Sequence, residues 1–141
     1  MLMTEPRSDF AADLTLPRHP KAAGQARRVV SAMDLEDQDL ADRGHLLVTE
    51  AVANAIEHAS GTHLQVVLAR DERTGGLFAA VFDAEPARPV QRHVPAEGLA
   101  ESGRGMALIR TLSEDWGCLA VGEGKWVWFH LVPTASAPLP P

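Results

Sequence analysis

The chain has 141 residues, of which 45% are hydrophobic and 23% charged, and its formal net charge is -6 at pH 7. These values are typical of a single soluble globular domain, and the acidic balance argues against broad nucleic-acid binding, which needs a basic surface to neutralise phosphates. Cys118 is the only cysteine, so a disulfide framework and a cysteine-based zinc site are excluded and a reducing cytoplasm is expected. No apolar run is long enough for a membrane span, and the first residues lack the apolar core of a signal peptide.

The N-terminal part of the chain is predicted to form a strand and then a helix. Residues 10–16 alternate apolar and polar side chains, which predicts a half-buried strand that Pro17 stops and that lies at a sheet edge. Apolar residues then recur at helical spacing from Lys21 to Met33. The helix follows Pro20, a residue that helix starts tolerate, and the acidic residues 34–39 are interpreted as a connection.

A second, longer helix is predicted from Gln38 or Asp42 to Ala59, with Gly61 as its stop signal. Its apolar residues recur every three or four positions, which indicates one buried face. The residues expected on that face are Val48, Val52, Ala55, Ile56 and Ala59.

Three polar residues of this helix repeat at intervals of four: Glu50, Asn54 and His58. They rise along a strip beside the buried face, with about 6 Å between successive turns. A carboxylate and an amide oxygen are therefore expected to point into the same place. The alternative is an ordinary amphipathic helix whose polar side meets water, and for His58 a capping or packing role near the helix end is the favoured interpretation.

Two strands are predicted after this helix. Leu64 to Arg70 forms the first, and residues 74–76 are a turn signal before Leu77 to Asp83. The second run is apolar at every position before Asp83, which predicts a central strand covered on both faces. The long connection from Asp83 to Gly103 contains several prolines and is typical of a functional lid or a disordered segment.

The remaining elements complete an α+β fold. Residues 104–112 predict a third helix, and residues 116–121 and 125–132 predict a hairpin around Gly122-Glu123-Gly124. The order of elements predicts a two-layer sandwich, a mostly antiparallel sheet with about three helices on one face. The domain is expected to span residues 9–133, between disordered ends at residues 1–8 and at the proline-rich residues 134–141.

Two further features suggest ligand contacts. Asp83 closes an apolar strand, and a carboxylate that accepts hydrogen bonds suits the exocyclic amine of adenine, although a strand-end aspartate that starts a turn is the alternative. In E-S-G-R-G-M-A-L-I, glycines precede a helix, so backbone N–H groups at its positive end could hold phosphates, unless this is a simple turn. The residues concerned are Gly103, Arg104, Gly105 and Met106. The segment is neither a dinucleotide fingerprint nor a Walker loop.

The order of these motifs resembles the GHKL ATPase superfamily and, within it, the small bacterial anti-sigma-factor serine kinases, over about Phe10 to Val132. The resemblance implies a Bergerat fold with ATP and Mg²⁺ as cofactors, since phosphoryl transfer needs a metal and an orienting base. It assigns Asn54 to magnesium, Glu50 to the attacking serine hydroxyl and Asp83 to adenine, with residues 103–106 on the phosphates. It also implies a sigma factor and an antagonist protein as partners, and a homodimer.

The chain departs from this family pattern at two places. The residues after Asp83, Ala84 to Ala87, lack the glycines of the wider superfamily. In G-K-W-V-W-F-H-L, Trp126 stands where the family carries a small hydroxyl residue that helps to bind adenine. If the face of Trp126, Trp128 and His130 is the one that the helices cover, Trp126 lies beside Asp83 and either stacks on the base or blocks it.

These departures leave other functions open. One is a catalytically inactive protein-binding module on the same fold. Another is a plain ATP hydrolase or a detached histidine-kinase catalytic domain, although no separate helix pair with a phosphoacceptor histidine is evident in the sequence.

Overall fold

The computed structural model describes residues 11–35, 37–58, 61–84, 103–122 and 124–133. The elements in chain order are β1 (Ala11–Pro17), α1 (Lys21–Ala32), α2 (Gln38–His58), β2 (His63–Asp71), β3 (Gly76–Asp83), α3 (Gly103–Leu112), β4 (Asp115–Val121) and β5 (Gly124–Leu131). All neighbouring strands pair antiparallel, in the order β1-β2-β3-β5-β4. The predicted α+β fold class is confirmed, and so is the edge position of the first strand; Phe10 and Ala59 lie outside the described residues.

Local signals set the ends of α2. The carboxylate of Asp37 accepts a hydrogen bond from the Asp39 backbone N–H at 3.1 Å, and the Asp37 carbonyl accepts one from Ala41 at 3.0 Å. This capping arrangement explains why the helix begins at Gln38 rather than at Asp42. After the helix, Gly61 adopts a φ of +105°, a conformation that glycine tolerates better than other residues.

The helices pack on one face of the sheet, and the core lies between them. From α2, Val48, Val52 and Ala55 are buried as predicted, whereas Ile56 is only half-buried. The sheet contributes inward-facing apolar side chains from every strand, and α1 and α3 add further ones. The buried residues of these elements include Leu16, Val30, Leu68, Val81, Ile109, Cys118, Val127, Phe129 and Leu131. None of the described helices is long and apolar enough to cross a membrane.

The central strand β3 differs from its prediction. It lies in the middle of the sheet, but helices cover only the face that carries Leu77, Ala79 and Val81. On the other face, Phe78 and Phe82 are half-buried against Trp128 and Trp126 of β5, with ring centroids 6.2 Å and 5.2 Å apart. Cross-strand aromatic pairs, rather than a second layer of helices, therefore explain why β3 is apolar on both sides.

Two close approaches show how α2 runs over β3. A Cβ on Gly44, near the start of α2, would lie 2.8 Å from Leu77 Cδ2 at the start of β3. A Cβ on Gly61, just beyond α2, would lie 3.7 Å from the Ala84 Cβ, just beyond β3. The helix and the strand therefore run in the same direction, and their C-terminal ends meet.

Candidate functional site

The polar strip predicted on α2 lies at the edge of the core. Glu50 and Asn54 are half-buried, between the buried residues Ala51 and Ala55 and the solvent-facing side of the helix. The Oδ1 atom of Asn54 is itself buried and accepts no hydrogen bond from any residue that the structure describes. An amide oxygen that loses its water without gaining a donor is costly, and a hard cation such as Mg²⁺ is a ligand that would satisfy it. The Asn54 Oδ1 atom is therefore a suitable ligand for a magnesium ion.

Asp83 lies on the helix-covered face of β3, where its side chain is only 2% exposed. Its cross-strand partner in the register of β3 and β5 is Lys125, and the two side chains point to the same face. Lys125 Nζ lies 3.5 Å from Asp83 Oδ1, and the lysine side chain is 12% exposed. Asp83, whose carboxylate is predicted to accept a hydrogen bond from the adenine amine, therefore forms a nearly buried ion pair.

The face of β5 that carries Trp126 is not the one that the helices cover. The helices cover the face of β5 that carries Val127, Phe129 and Leu131, so Trp126 is on the opposite face, against Phe82. Because side chains alternate along a strand, the residue beside Asp83 must be Lys125 or Val127 rather than Trp126. The indole therefore neither stacks on a base at Asp83 nor blocks it.

Lys125 is the residue that the sequence reasoning missed. The signal was present in the alternation of β5, since Lys125 shares its face with Val127, Phe129 and Leu131. The positive charge of Lys125 also acts electrostatically on Cys118, a buried thiol on the neighbouring strand. Burial raises the pKa of Cys118 to about 11, against the lowering effect of Lys125, and Asp83 adds to the rise. Cys118 is consequently a protonated core residue at neutral pH.

The direction of α2 brings its polar strip toward Asp83. Asn54 lies about 15 Å along the helix from Gly44, at the usual rise of an α-helix. Asp83 lies about 20 Å along β3 from Leu77, at the usual rise of a strand. Since Gly44 packs over Leu77, Asn54 and Asp83 are separated by only about one helical turn along this common direction.

The helix α3 begins at Gly103, so the G-R-G segment forms its first turn. At the opposite end of α3, the Leu112 carbonyl accepts a hydrogen bond from Arg43 Nη1 at 3.4 Å, near the start of α2. α3 is also in contact with α2. Phosphate binding by Gly103, Arg104, Gly105 and Met106 remains a prediction, and the side chains of these residues and of His58 lie outside the described part of the structure.

The described site therefore combines a half-buried carboxylate and a buried amide oxygen from α2 with an ion pair from β3 and β5. The N-terminus of α3 is predicted to join them. Backbone N–H groups at a helix N-terminus favour anions. An acceptor for a cation and a positive helix end would together suit a metal-bound phosphate compound.

Comparisons with known proteins give a family and a fold. A family model described as the histidine kinase-like ATPase domain matches residues 16–131. No curated protein matches the chain. One solved structure, described as the RsbU and RsbW domains of a Mycobacterium tuberculosis protein, is similar with a TM-score of 0.64 and 19% identity.

That alignment covers 86% of this chain but only 31% of the mycobacterial one, so the likeness supports a shared fold. The sandwich of five antiparallel strands under three described helices is of the Bergerat type expected from the sequence. The family match extends over most of the chain, from the end of β1 to the end of β5. The chain therefore belongs to the histidine kinase-like ATPase domain family.

Proposed function

We propose that the protein is an ATP-binding regulator that transfers phosphate from ATP to a serine of an antagonist protein and that also binds a sigma factor. The observation that carries the nucleotide part is the buried Asn54 Oδ1, which none of the described residues satisfies and which lies one turn after Glu50. Family membership supports the ATP-binding part. The partners are proposed by analogy with the RsbW domain named in the similar solved structure.

Each residue would have one task. Asn54 Oδ1 would hold Mg²⁺, and this ion, when bound, would neutralise charge on the ATP phosphates. The Glu50 carboxylate would accept the proton of the serine hydroxyl as the serine oxygen bonds to the γ-phosphorus and the bond from that phosphorus to ADP breaks. Backbone N–H groups of Gly103, Arg104, Gly105 and Met106 would bind the phosphates, and Asp83 would accept a hydrogen bond from the base.

Two substitutions test this assignment, because one is expected to impair ATP binding and the other phosphate transfer. Asn54→Ala is expected to weaken ATP binding only when magnesium is present, as measured by calorimetry with and without the ion. Glu50→Ala is expected to leave binding nearly unchanged and to slow phosphate transfer by about 10²-fold or more, the scale of a general base. Glu57→Ala, at an exposed position of the same helix, is the matched control. An equal loss of binding in both site variants would contradict the division of tasks.

Partner capture tests the regulatory part separately. The full chain would be immobilised and exposed, with and without ATP and magnesium, to a lysate of cells that express it. Mass spectrometry would identify the captured proteins. A sigma factor and a serine-phosphorylated protein are the expected partners. If neither partner is recovered, with or without ATP, the protein is an ATP-binding protein of another regulatory class.

One observation favours a second candidate function, the catalytically inactive binding module. Lys125 lies 3.5 Å from Asp83 and competes with an incoming base for that carboxylate. If the pair keeps nucleotides out, calorimetry will show no heat at millimolar ATP with magnesium, while partner capture will be independent of ATP. Heat that depends on Asn54 would exclude this candidate.

A further inference from the structure

A polar groove of about 460 Å³ lies between α1 and α2. The residues that line it are Gly24, Arg27, Arg28, Ser31 and His45. The four residues from α1 are three or four positions apart or adjacent, so they share one side of that helix, and His45 belongs to α2. A groove of this size is within the range of protein sites that hold a small ligand or a side chain of a partner.

The groove and the candidate site lie on different sides of α2. His45 lines the groove, and Thr49, one turn later, accepts a hydrogen bond from Arg27 Nη1 at 3.1 Å. Glu50 and Asn54 follow His45 and Thr49 respectively by five positions, which is about 140° around the helix. A ligand in the groove would therefore contact a different side of α2 from a ligand at Glu50 and Asn54.

Hydrogen bonds between the two helices hold the walls of the groove in place. Arg27 donates to the Thr49 hydroxyl, which donates in turn to the His45 carbonyl at 2.6 Å. One turn away, Ser31 Oγ lies 3.0 Å from His45 Nε2. Because these contacts orient the polar groups before a ligand arrives, binding would order fewer side chains and lose less conformational entropy.

The groove is positively charged, although the chain as a whole has a net charge of -6. None of the described residues that line it is acidic. Neither Arg27 nor Arg28 forms an ion pair within the described part of the chain, and the Arg28 side chain forms no hydrogen bond there. Two guanidinium groups without a counter-charge repel each other, so a bound anion would stabilise this arrangement.

The number of donors favours a phosphate group over a carboxylate. A guanidinium has five N–H donors in a planar fork and can bind two oxygens of one anion at once. The Arg28 guanidinium, the second Nη of Arg27 and the Ser31 hydroxyl line the same groove. A carboxylate has two oxygens and one charge, whereas a phosphorylated side chain has three acceptor oxygens and a charge of about −1.5 to −2 at pH 7.

We propose that this groove binds a phosphorylated serine or threonine side chain of a protein partner. A free phosphate ion would fill only a small part of the volume of about 460 Å³, and the remainder can hold the peptide that carries the phosphate. The inference goes beyond the proposed function, since it concerns a second site and does not require that this chain bind ATP.

The experiment is an NMR titration of the isotope-labelled full chain at constant ionic strength, because salt screens such contacts. The probes are N-acetyl-phosphoserine N-methylamide, the corresponding glutamate compound and inorganic phosphate. The phosphoserine compound is expected to bind most tightly and to shift the amide signals of Arg27, Arg28 and Ser31. Arg28→Gln is expected to weaken this binding by about 10- to 100-fold, the scale of one hydrogen bond to a charged group.

Two further variants serve as controls. Arg110→Gln removes the same charge from an exposed position of α3 and is expected to bind the phosphoserine compound like the wild type. Asn54→Ala is also expected to retain this binding, because its side chain lies on the other side of α2. Loss of phosphoserine binding in Asn54→Ala would place the anion at the candidate site and overturn the inference.

The wild-type titrations decide even if Arg28→Gln fails to fold. If the glutamate compound or inorganic phosphate binds as tightly as the phosphoserine compound, or if none of the three shifts the signals of the groove, the inference is wrong. The same conclusion follows if folded Arg28→Gln keeps the wild-type affinity. None of these results bears on ATP binding, so the proposed function can stand when this inference fails.

Discussion

At the scale of single residues, Asp71 shows how a side chain can fix a turn of the sheet. Its carboxylate accepts hydrogen bonds from the Arg73 backbone N–H at 2.9 Å and from Thr74 Oγ1 at 3.1 Å. Thr74 Oγ1 in turn accepts a hydrogen bond from the Gly76 backbone N–H at 3.0 Å. These contacts connect β2 to β3 in a fixed register, which places Asp83 at the far end of β3.

The same contacts make a prediction about pH. The Arg73 hydrogen bond, helped by those of Thr74 and by the charge of His130, holds the pKa of Asp71 below 3.8 against the raising effect of burial. Because the folded-state pKa is lowered, this contribution to stability is present above the unfolded-state value and is lost as the pH falls through the folded-state value. Asp71→Asn is therefore expected to lower the free energy of unfolding at pH 7 and to lessen its decline below pH 3.8.

Urea denaturation at several pH values between neutrality and pH 3 would measure both effects. Asp13→Asn is the control, since that carboxylate lies on the edge strand and accepts a hydrogen bond from Gln65 Nε2 at 2.9 Å. Stability curves for Asp71→Asn and the wild type that run parallel in acid would contradict the role of the turn carboxylate.

At the scale of elements, α2 joins the core to the candidate site. One side of this helix carries Val48 and Val52, which are fully buried, and the adjoining strip carries Glu50 and Asn54. Packing on the buried side therefore holds the strip in position over β3. Such support from a rigid helix is what a site with a defined geometry requires.

The pairing of β3 with β5 also depends on a close backbone approach. A Cβ on Gly76, at the start of β3, would collide with the Leu131 carbonyl oxygen at the end of β5. Gly76→Ala is therefore expected to destabilise the protein by about 1–3 kcal/mol, the scale of overpacking a rigid site. Thermal and urea unfolding would measure the change.

Gly24→Ala in α1 is the matched control, because its Cβ would have Arg27 Nη2 as its nearest neighbour, at 3.6 Å. Removing a glycine from a helix interior is expected to stabilise the protein by up to about 1 kcal/mol. Equal effects of the two substitutions would show that β3 and β5 can separate to admit a methyl group.

At the scale of the whole molecule, the sheet has two edges. Among the strands that the structure describes, β1 forms one edge and pairs only with β2, and β4 forms the other, with Leu119 and Val121 exposed on it. Unpaired backbone groups on an edge strand are a template for another chain. The family resemblance and the position of β1 support the prediction of a homodimer formed through this strand.

We expect a dimer at micromolar concentration, measured by light scattering, and a constant mass of about 15 kDa across that range would refute it. Ala11→Lys on β1 is expected to shift the protein toward monomer, because a lysine on an edge strand opposes pairing. Leu119→Lys on β4 is the control. If only Leu119→Lys dissociates the dimer, β4 rather than β1 is the edge that pairs.

The sequence alone determined the order of the elements, the edge position of β1 and the buried side of α2. Alternation and helical spacing indicate which side chains are buried, and Pro17 and Gly61 mark the ends of elements. Glu50 and Asn54 were singled out from the sequence by their four-residue spacing beside the buried face, and Asp83 because it closes an apolar strand. Their roles in binding and catalysis remain predictions.

Only the tertiary structure decided which face of β5 meets the helices. Both faces of that strand are apolar, one with Val127 and Phe129 and the other with Trp126 and Trp128, so period-two alternation could not choose between them. The helix layer packs against Val127 and Phe129, while the tryptophans pair with the phenylalanines of β3. That choice puts Lys125 rather than Trp126 beside Asp83, because the partner of a charge depends on strand register, which is a long-range property of the folded chain.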